Sequence, residues 1–397
     1  MNRLFMFRIM LLVVLFVTTS FALAMGEQPI ISSQLTVASR NFWQLNHAMS
    51  FYEKLSHQPW NIIPEEPHLL KLGTKSNAVL ILREHLRILG DLQPVNDVGG
   101  KKFDLALEQA VESFQERHGI KVDGAVGNET RDELNIPPEE RIKQIAINMQ
   151  RWANLADKLG QRFILVNIPA YHMEVFENNQ VVLSLKAIVG KKDLPTPEIE
   201  SKVTRIVFNP YWNIPNKIAQ NDIAPKMLAD PSYMYRSHIR AFRVEDNDAT
   251  EVDPANIDWQ NAEIYGLNYH LRQDPGPENA LGLVKFEFHN THDVYMHDTS
   301  AKDLFNNHIR SYSHGCIRLE NPFTLVEYLL KDDPRWTDMR IGEILDEGKT
   351  RYVSVPHPIP IFVTYITAWV DEAGRVNFRD DLYQLDDQVW SPQRTVY

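Results

Sequence analysis

The chain has 397 residues and a mass of 46.0 kDa, a length that suggests roughly two or three domains. Hydrophobic residues make up 44% and charged residues 23%, which excludes a largely disordered, collagenous or coiled-coil protein. The formal net charge is −11, so the composition gives no electrostatic sign of a nucleic-acid partner.

The N-terminus has the three-part pattern of a secretory signal peptide. Arg3 comes before an apolar run over residues 9–17, and Ala22-Leu23-Ala24 is a small-x-small cleavage site. We expect residues 1–24 to be a signal that is cleaved after Ala24. The alternative is an uncleaved signal-anchor in the inner membrane, although the apolar run is shorter than the roughly 20 residues of a membrane span. No later stretch is long and apolar enough to cross a bilayer, so we expect the remainder to be soluble.

Helical patterns dominate residues 25–160. Residues 25–67 are predicted to be a helical N-terminal scaffold, and residues 68–136 contain two apolar stripes at helical spacing followed by a glycine turn. The stripes and the turn comprise Val79, Leu82, Leu86 and Leu89, then Phe103, Leu107, Ala110, Val111 and Phe114, then Gly119 and Asp123-Gly124. This pattern resembles the small helical peptidoglycan-binding domain of wall enzymes, and the alternative is a generic bundle whose stripes are only core.

A strongly amphipathic segment comes next. Residues 137–160 are predicted to be a connecting helix, because one face carries an apolar stripe. The stripe comprises Ile142, Ile145, Met149, Trp152, Ala156 and Leu159.

From Arg162 the hydrophobic period changes to that of β-strands. The predicted strands cover residues 163–168, 171–176, 181–189, 202–209, 282–289 and 293–296. Residues 216–281 lose clear periodicity and contain Asp-Pro and Pro-Gly breaks, which indicates an insertion into a β domain. Loops this long are usually functional lids or disordered segments, so we expect a capping insertion here. The β-rich domain is placed at 161–335, with its C-terminal part at 336–397.

The candidate chemistry lies at His297 and Cys316, the only cysteine of the chain. A free cysteine is only a few per cent ionised at neutral pH, so a nucleophilic thiol needs a base that removes its proton. His297, at a predicted strand end, is the better candidate, and it would leave a thiolate–imidazolium pair. His314 is assigned to shaping the turn around Cys316. The alternative for a lone cysteine is a buried, inert residue.

The turn itself could bind an anion. Backbone N–H groups of His314, Gly315 and Cys316 are predicted to form an oxyanion hole for an attacked carbonyl. A helix is predicted soon after Cys316, capped by Asn321 with Pro322 at its first position. Arg318 could hold an anionic group of a substrate or tie the loop to a carboxylate of the fold.

These residues resemble the signature of the L,D-transpeptidase catalytic domain, which uses a cysteine to cross-link bacterial peptidoglycan. The resemblance is carried by His297-Asp298-Thr299 and by Ser313-His314-Gly315-Cys316-Ile317-Arg318. It extends to the large periplasmic members that have a peptidoglycan-binding domain and a capping subdomain, and it covers roughly residues 40–390. The implied fold class is α+β multidomain, with a helical scaffold and peptidoglycan-binding domain before a β-rich catalytic domain.

The resemblance implies Cys316 as nucleophile, His297 as its base and the backbone of residues 314–316 as oxyanion hole, with Ser313 beside it. It implies 3–3 cross-linking of stem peptides in the periplasm and no cofactor. Many members have Gly where this chain has Asp298, so whether Asp298 contributes its carbonyl, its carboxylate or neither stays open. The implied partners are peptidoglycan stems and glycan, proteins of wall synthesis, and β-lactams of the carbapenem class as covalent inhibitors.

Other functions use the same residues. Water as acceptor would make the protein an L,D-carboxypeptidase, and a lipoprotein amine would make it an attachment enzyme. A non-catalytic wall-binding protein is the alternative from another class.

Other side chains have alternative roles. His289, His292 and His297 are close enough in sequence to suggest a metal, but strand alternation sets His292 on the opposite face from the other two. Tyr295 and Trp212 are candidate substrate contacts, and core packing is the alternative for Trp212.

Overall fold

The computed structural model describes residues 35–97, 99–245, 248–265 and 268–387, so the predicted signal peptide at 1–24 lies outside the described residues. Within the described ranges, no helix is both long and apolar enough to span a membrane.

Helices fill the N-terminal part. Their bounds are Val37–Ser56 (α1), Ala78–Ile88 (α2), Leu105–His118 (α3), Asn128–Asn135 (α4) and Pro138–Leu155 (α5). The two predicted stripes on α2 and α3 form one core, in which Val79, Leu82 and Leu107 are fully buried. The side chain of Asp104 caps the start of α3, and Gly119 ends the helix with a φ of +67°.

The connecting helix is shorter than predicted. Helix α5 ends at Leu155, so Ala156 and Leu159 of the predicted stripe lie beyond it. Leu159 is nevertheless buried with Ile145 and Trp152 in a core that α1 and α5 share with one side of the β domain. The apolar pattern thus predicted the burial of Leu159 correctly, but the helix ends before the apolar stripe does.

Nine strands within the described residues form the main sheet. They are Arg162–Asn167 (β1), His172–Glu177 (β2), Gln180–Gly190 (β3), Ile199–Phe208 (β4), Val284–Phe288 (β9), Met296–His297 (β10), Ser311–Ser313 (β11), Ile317–Leu319 (β12) and Arg351–Thr364 (β13). Their order is β11-β3-β12-β10-β9-β4-β13-β1-β2, and β2 also pairs with β3, which closes the sheet on itself. The fold is therefore α+β, with helical units before a β-rich domain.

The predicted strand at 293–296 is wrong in extent. Only Met296–His297 has strand geometry, and Asp293 has a φ of +55° that belongs to a turn. Strand β12 was not predicted, because three residues are too few to show a period. A helix does begin at Pro322 (Pro322–Leu330, α10), but the side chain of Asn321 makes no capping hydrogen bond.

The insertion is a folded subdomain. Strands Trp212–Ile214 (β5), Ile239–Glu245 (β6), Asp248–Val252 (β7) and His270–Gln273 (β8) form a second sheet in the order β5-β8-β6-β7. Helices Asn216–Ile218 (α6), Ala224–Ala229 (α7), Tyr233–Arg236 (α8) and Trp259–Tyr265 (α9) accompany it. Together these elements enclose their own apolar core.

The predicted bounds of the insertion were wrong. The folded unit begins with β5 at Trp212, because this strand pairs with β8, and not at residue 216. Its helices and strands are too short to produce a visible period in the sequence. Helix Asp338–Asp346 (α11) and strands Ala368–Val370 (β14) and Val376–Phe378 (β15) complete the α-helices and strands of the described residues.

A buried amide joins the helical part to the β domain. Asn148 of α5 accepts a hydrogen bond from the backbone N–H of Thr367 at 2.8 Å and donates one to its hydroxyl at 2.7 Å. Both residues are fully buried. The contact bridges positions more than 200 apart in sequence, so it forms only when the two parts dock.

Replacing this amide should weaken the docking. Asn148→Ala leaves the buried N–H of Thr367 without a partner, while the Thr367 hydroxyl still donates to Asp386 at 2.7 Å. An unsatisfied buried N–H costs about 1–3 kcal/mol. We expect a lower melting temperature by differential scanning calorimetry, whereas Asn154→Ala, at an exposed position of the same helix, should have almost no effect. Equal melting temperatures for the two variants would contradict this role.

Candidate active site

Two short paired strands bring the candidate residues together. β10 and β12 are parallel neighbours, with Met296 opposite Ile317 and His297 opposite Arg318. Met296 and Ile317 are fully buried in the main core. Side chains alternate along strands, so the next residues along each strand lie on the other face. That face carries Tyr295, His297, Cys316 and Arg318.

His297 is held in one tautomer by the main chain. Its Nδ1 lies within hydrogen-bond distance of the carbonyl oxygen of Asp298. Because a carbonyl can only accept, Nδ1 carries the proton, and Nε2 is left as the basic nitrogen. Burial, followed by the positive charge of Arg318, lowers the pKa of His297 to about 3. The imidazole is therefore neutral at neutral pH.

Asp298 contributes both its carbonyl and its carboxylate. The carbonyl orients His297, while the carboxylate accepts hydrogen bonds from the N–H of Leu283 at 2.9 Å and from Lys302. Gly282 allows this approach, since a Cβ there would lie 2.2 Å from the Asp298 carboxylate. Asp298 thus orients the His297 imidazole through its carbonyl and contacts Leu283 and Lys302 through its carboxylate.

The thiol of Cys316 is half-buried beside Tyr295. Its sulfur is 4.0 Å from the carbonyl oxygen of Asp293 and is hydrogen-bonded to the phenol of Tyr295. Burial raises the pKa of the Cys316 thiol above its ordinary 9.0, although Tyr295, Lys285 and Arg318 each act to lower it. The resting site therefore holds a neutral thiol and a neutral imidazole, and not the thiolate–imidazolium pair expected from the sequence.

Two cations lie near the thiol. The ammonium of Lys285 is 4.0 Å from the centroid of the Tyr295 ring. Arg318 is mostly buried, and its Nε has no hydrogen-bond partner among the described residues. The ion pair with a carboxylate that the sequence allowed for Arg318 is not formed among the described residues. The guanidinium charge instead acts on His297 and Cys316.

The turn before Cys316 is fixed by side-chain hydrogen bonds. Ser313 Oγ donates to the carbonyl of Cys316 and accepts from the N–H of Gly315 at 3.1 Å. Thr196 donates to the carbonyl of Gly315 at 2.8 Å. Gly315 has a φ of +110°, which disfavours any residue with a Cβ.

This arrangement changes the predicted oxyanion hole. The Gly315 N–H is occupied by Ser313, whereas the N–H groups of His314 and Cys316 make no hydrogen bond within the described part of the chain. Two of the three predicted donors are therefore open to a ligand. The His314 side chain leaves the turn and reaches Asp222 of the insertion, at 3.0 Å.

Sequence reasoning missed Thr196. It is 2% exposed and also accepts from the N–H of Gly190 at 2.8 Å, so it ties β3 to the cysteine turn. The Pro195-Thr196-Pro197 run was the available signal, because prolines on both sides fix the backbone of the residue between them.

The remaining candidates lie elsewhere. Trp212 packs against the core of the inserted subdomain, which favours the structural alternative for it. His289 and His292 are exposed while His297 is buried. No three metal-ligating side chains converge in the residues that the structure describes.

Comparison with protein families assigns the domain that holds this site. Residues 161–341 match the family described as "L,D-transpeptidase catalytic domain". Residues 161–341 are an L,D-transpeptidase catalytic domain. Strand β13 of the L,D-transpeptidase sheet lies beyond the matched range but pairs with both β1 and β4 inside it. Residues 75–134, which contain α2 and α3, match the family described as "Putative peptidoglycan binding domain".

A curated relative agrees with this assignment. A Haemophilus influenzae protein described as "Putative L,D-transpeptidase" is 35% identical over 252 residues, which cover 63% of this chain and 50% of the relative. The chain thus spans about half the length of the curated relative it matches.

Solved L,D-transpeptidase structures share little sequence identity with this chain. An L,D-transpeptidase from Stackebrandtia nassauensis is 12% identical with a TM-score of 0.28, covering 74% of this chain and 94% of that one. An L,D-transpeptidase fragment from Xylanimonas cellulosilytica is 15% identical with a TM-score of 0.24, covering 76% and 100%. At these TM-scores the assignment depends on sequence and not on structural likeness.

The raised pKa of the thiol can be tested directly. Because Cys316 is the only cysteine, alkylation by iodoacetamide reports on this thiol alone. Burial raises its pKa, so we expect the alkylation rate of the folded protein to reach half its maximum above pH 9.0. The urea-unfolded protein should titrate near the ordinary value. Intact-mass measurements of both forms across pH test this, and a folded-state midpoint below that of the unfolded chain would contradict it.

Proposed function

We propose that the protein is a peptidoglycan L,D-transpeptidase that uses Cys316 as its nucleophile. One observation supports this most: a thiol, a neutral imidazole and two open N–H donors lie together within an L,D-transpeptidase catalytic domain. The combination contains a nucleophile, a proton acceptor and groups that stabilise an oxyanion, which are the requirements of acyl transfer.

The first half of the proposed reaction forms a thioester. Cys316 Sγ attacks the carbonyl carbon that precedes the terminal D-alanine of a tetrapeptide stem, while its proton passes to Nε2 of His297. The carbonyl oxygen becomes an oxyanion that accepts from the N–H groups of His314 and Cys316. The C–N bond then breaks, and D-alanine leaves with the proton that His297 returns.

The second half transfers the acyl group. The side-chain amine of meso-diaminopimelate in a neighbouring stem attacks the thioester, His297 removes one proton from that amine, and the thiol is regenerated. The product is a 3–3 cross-link. The inserted subdomain would limit the access of water, which otherwise hydrolyses the thioester and yields a trimmed tripeptide.

The charge of the site suits an anionic donor. Stem peptides carry carboxylates, and Arg318 has a buried Nε without a partner among the described residues. A guanidinium in this position can form a charge-assisted hydrogen bond to such a group. We therefore assign Arg318 to the donor stem and Tyr295 to the thiol.

The location and the inhibitors belong to the same proposal. Peptidoglycan lies outside the cytoplasm, so residues 1–24 would act as a signal peptide for export to the periplasm. Residues 75–134 would hold the enzyme on the wall. A carbapenem presents a strained amide to the same thiol, and ring opening would leave an acyl-enzyme at Cys316.

The test is mass spectrometry of the products formed from disaccharide-tetrapeptide. We expect a cross-linked dimer that lacks one alanine, and none with Cys316→Ala. His297→Gln should lower the rate by about 10²–10⁴-fold, because it removes the proton acceptor. His289→Gln, an exposed histidine earlier in the chain, is the matched control and should be unaffected.

Other products would change the conclusion. Tripeptide without dimer would indicate hydrolysis, and turnover that persists in Cys316→Ala would reject the nucleophile.

A further inference from the structure

A hydrogen bond joins the inserted subdomain to the turn that holds the nucleophile. Asp222 Oδ2 lies 3.0 Å from Nε2 of His314, and the two side chains are 34% and 28% exposed. These positions are 92 residues apart in sequence. Asp222 lies in the inserted subdomain, whereas His314 lies in the turn between β11 and β12 of the main sheet. The turn beside Cys316 is therefore built partly by the insertion.

Asp222 is firmly placed within the insertion. It lies in the π-helical turn Ala219–Ile223 between α6 and α7. Ala219 and Ile223 are buried in the inserted core, while Asp222 between them faces outward. Single π-helical turns inside helices occur frequently at functional sites, because they redirect side chains.

His314 makes this bond as a neutral donor. Burial lowers the pKa of His314, although Asp222 opposes the shift. At neutral pH the ring therefore carries one proton, and Nε2–H donates to the Asp222 carboxylate. Lys191, Asp193 and Arg318 are the other charged groups that act on this imidazole.

The bond completes the fixation of the turn. Ser313 and Thr196 hold the peptide groups of Cys316 and Gly315, but neither of them holds His314. The backbone N–H of His314 is one of the two open donors for the oxyanion. Its direction depends on the His314 backbone, which the side-chain bond to Asp222 restrains.

We propose that Asp222 is a positioning residue, which aims the His314 N–H at the oxyanion by anchoring the His314 imidazole. This inference rests on the proposed acyl-transfer function. The inserted subdomain would thus help to orient an oxyanion donor, in addition to limiting the access of water to the thioester. Asp222 does not touch the reacting atoms, so its effect must act through His314.

Two reactions of the same thiol separate this role from other effects. Acylation by p-nitrophenyl acetate passes through an oxyanion: the sulfur bonds to the acetyl carbon, and p-nitrophenolate leaves. Alkylation by iodoacetamide is a displacement at carbon and forms no oxyanion. A residue that positions an oxyanion donor should therefore change the first rate and leave the second unchanged.

The variants are Asp222→Ala, Asp222→Asn and Asp193→Ala in the full chain. Removing an oxyanion donor outright costs about 10²–10³ in rate, so loss of its anchor in Asp222→Ala should slow acylation about 10-fold with alkylation unchanged. Asp222→Asn should retain most of the rate, because its amide oxygen still accepts from Nε2–H. Asp193→Ala, which removes a carboxylate near the same imidazole without a hydrogen bond to it, should have no effect.

A double-mutant cycle tests whether the effect passes through His314. In a His314→Ala background, Asp222→Ala should cause no further loss of acylation. Unchanged acylation in Asp222→Ala, an equal loss of alkylation, or an additive loss in the double variant would each overturn the positioning role. A wild-type thiol that is alkylated but never acylated would instead overturn the proposed function itself.

Discussion

The chemistry of this protein depends on the parallel pairing of two very short strands. β10 and β12 present Met296 and Ile317 to the main core, and burial of these apolar side chains fixes the register. The opposite face then carries Tyr295 and His297 beside Cys316 and Arg318. A slip of β12 by one residue would turn Cys316 and Arg318 towards the core and Ile317 away from it. The same register therefore determines both the packing of the domain and the geometry of the site.

Burial gives this site its resting state. Removal from water disfavours the charged forms of both Cys316 and His297, so the pKa of the thiol rises and that of the imidazole falls. In the proposed reaction, the proton is therefore transferred when the substrate is attacked, and not beforehand. Arg318, Lys285 and the two open N–H groups would then stabilise the negative charge that develops on the substrate, without having to reorient.

Sequence periodicity predicted much of the fold because burial follows the period of the backbone. The stripes of α2 and α3 and the strands β1 to β4 lie within a few residues of their predicted bounds. His297 and Cys316 were also singled out, from residue types and from a family resemblance, and the structure places them on one face of the paired strands β10 and β12. By contrast, β12 and the elements of the insertion are too short to produce a period, so the insertion was predicted without its helices and strands.

The long-range hydrogen bonds could not be predicted from the sequence. Thr196 and Asp222 reach the cysteine turn from positions more than 90 residues away, and nothing in their local sequence specifies a partner. The ionisation states were misjudged for the same reason. A thiolate–imidazolium pair was expected from the two residue types alone, and only the fold reveals that burial disfavours the charged form of each group.

The central claim is that His297 is a neutral base, protonated on Nδ1, beside a neutral thiol. Nitrogen-15 NMR of the labelled imidazole measures this most directly, with Cys316→Ala as the reference. The account predicts one Nδ1–H tautomer at pH 7 in both proteins and no protonation of His297 until the pH approaches about 3. An imidazolium signal at neutral pH that disappears in Cys316→Ala would demonstrate a preformed ion pair and contradict the account.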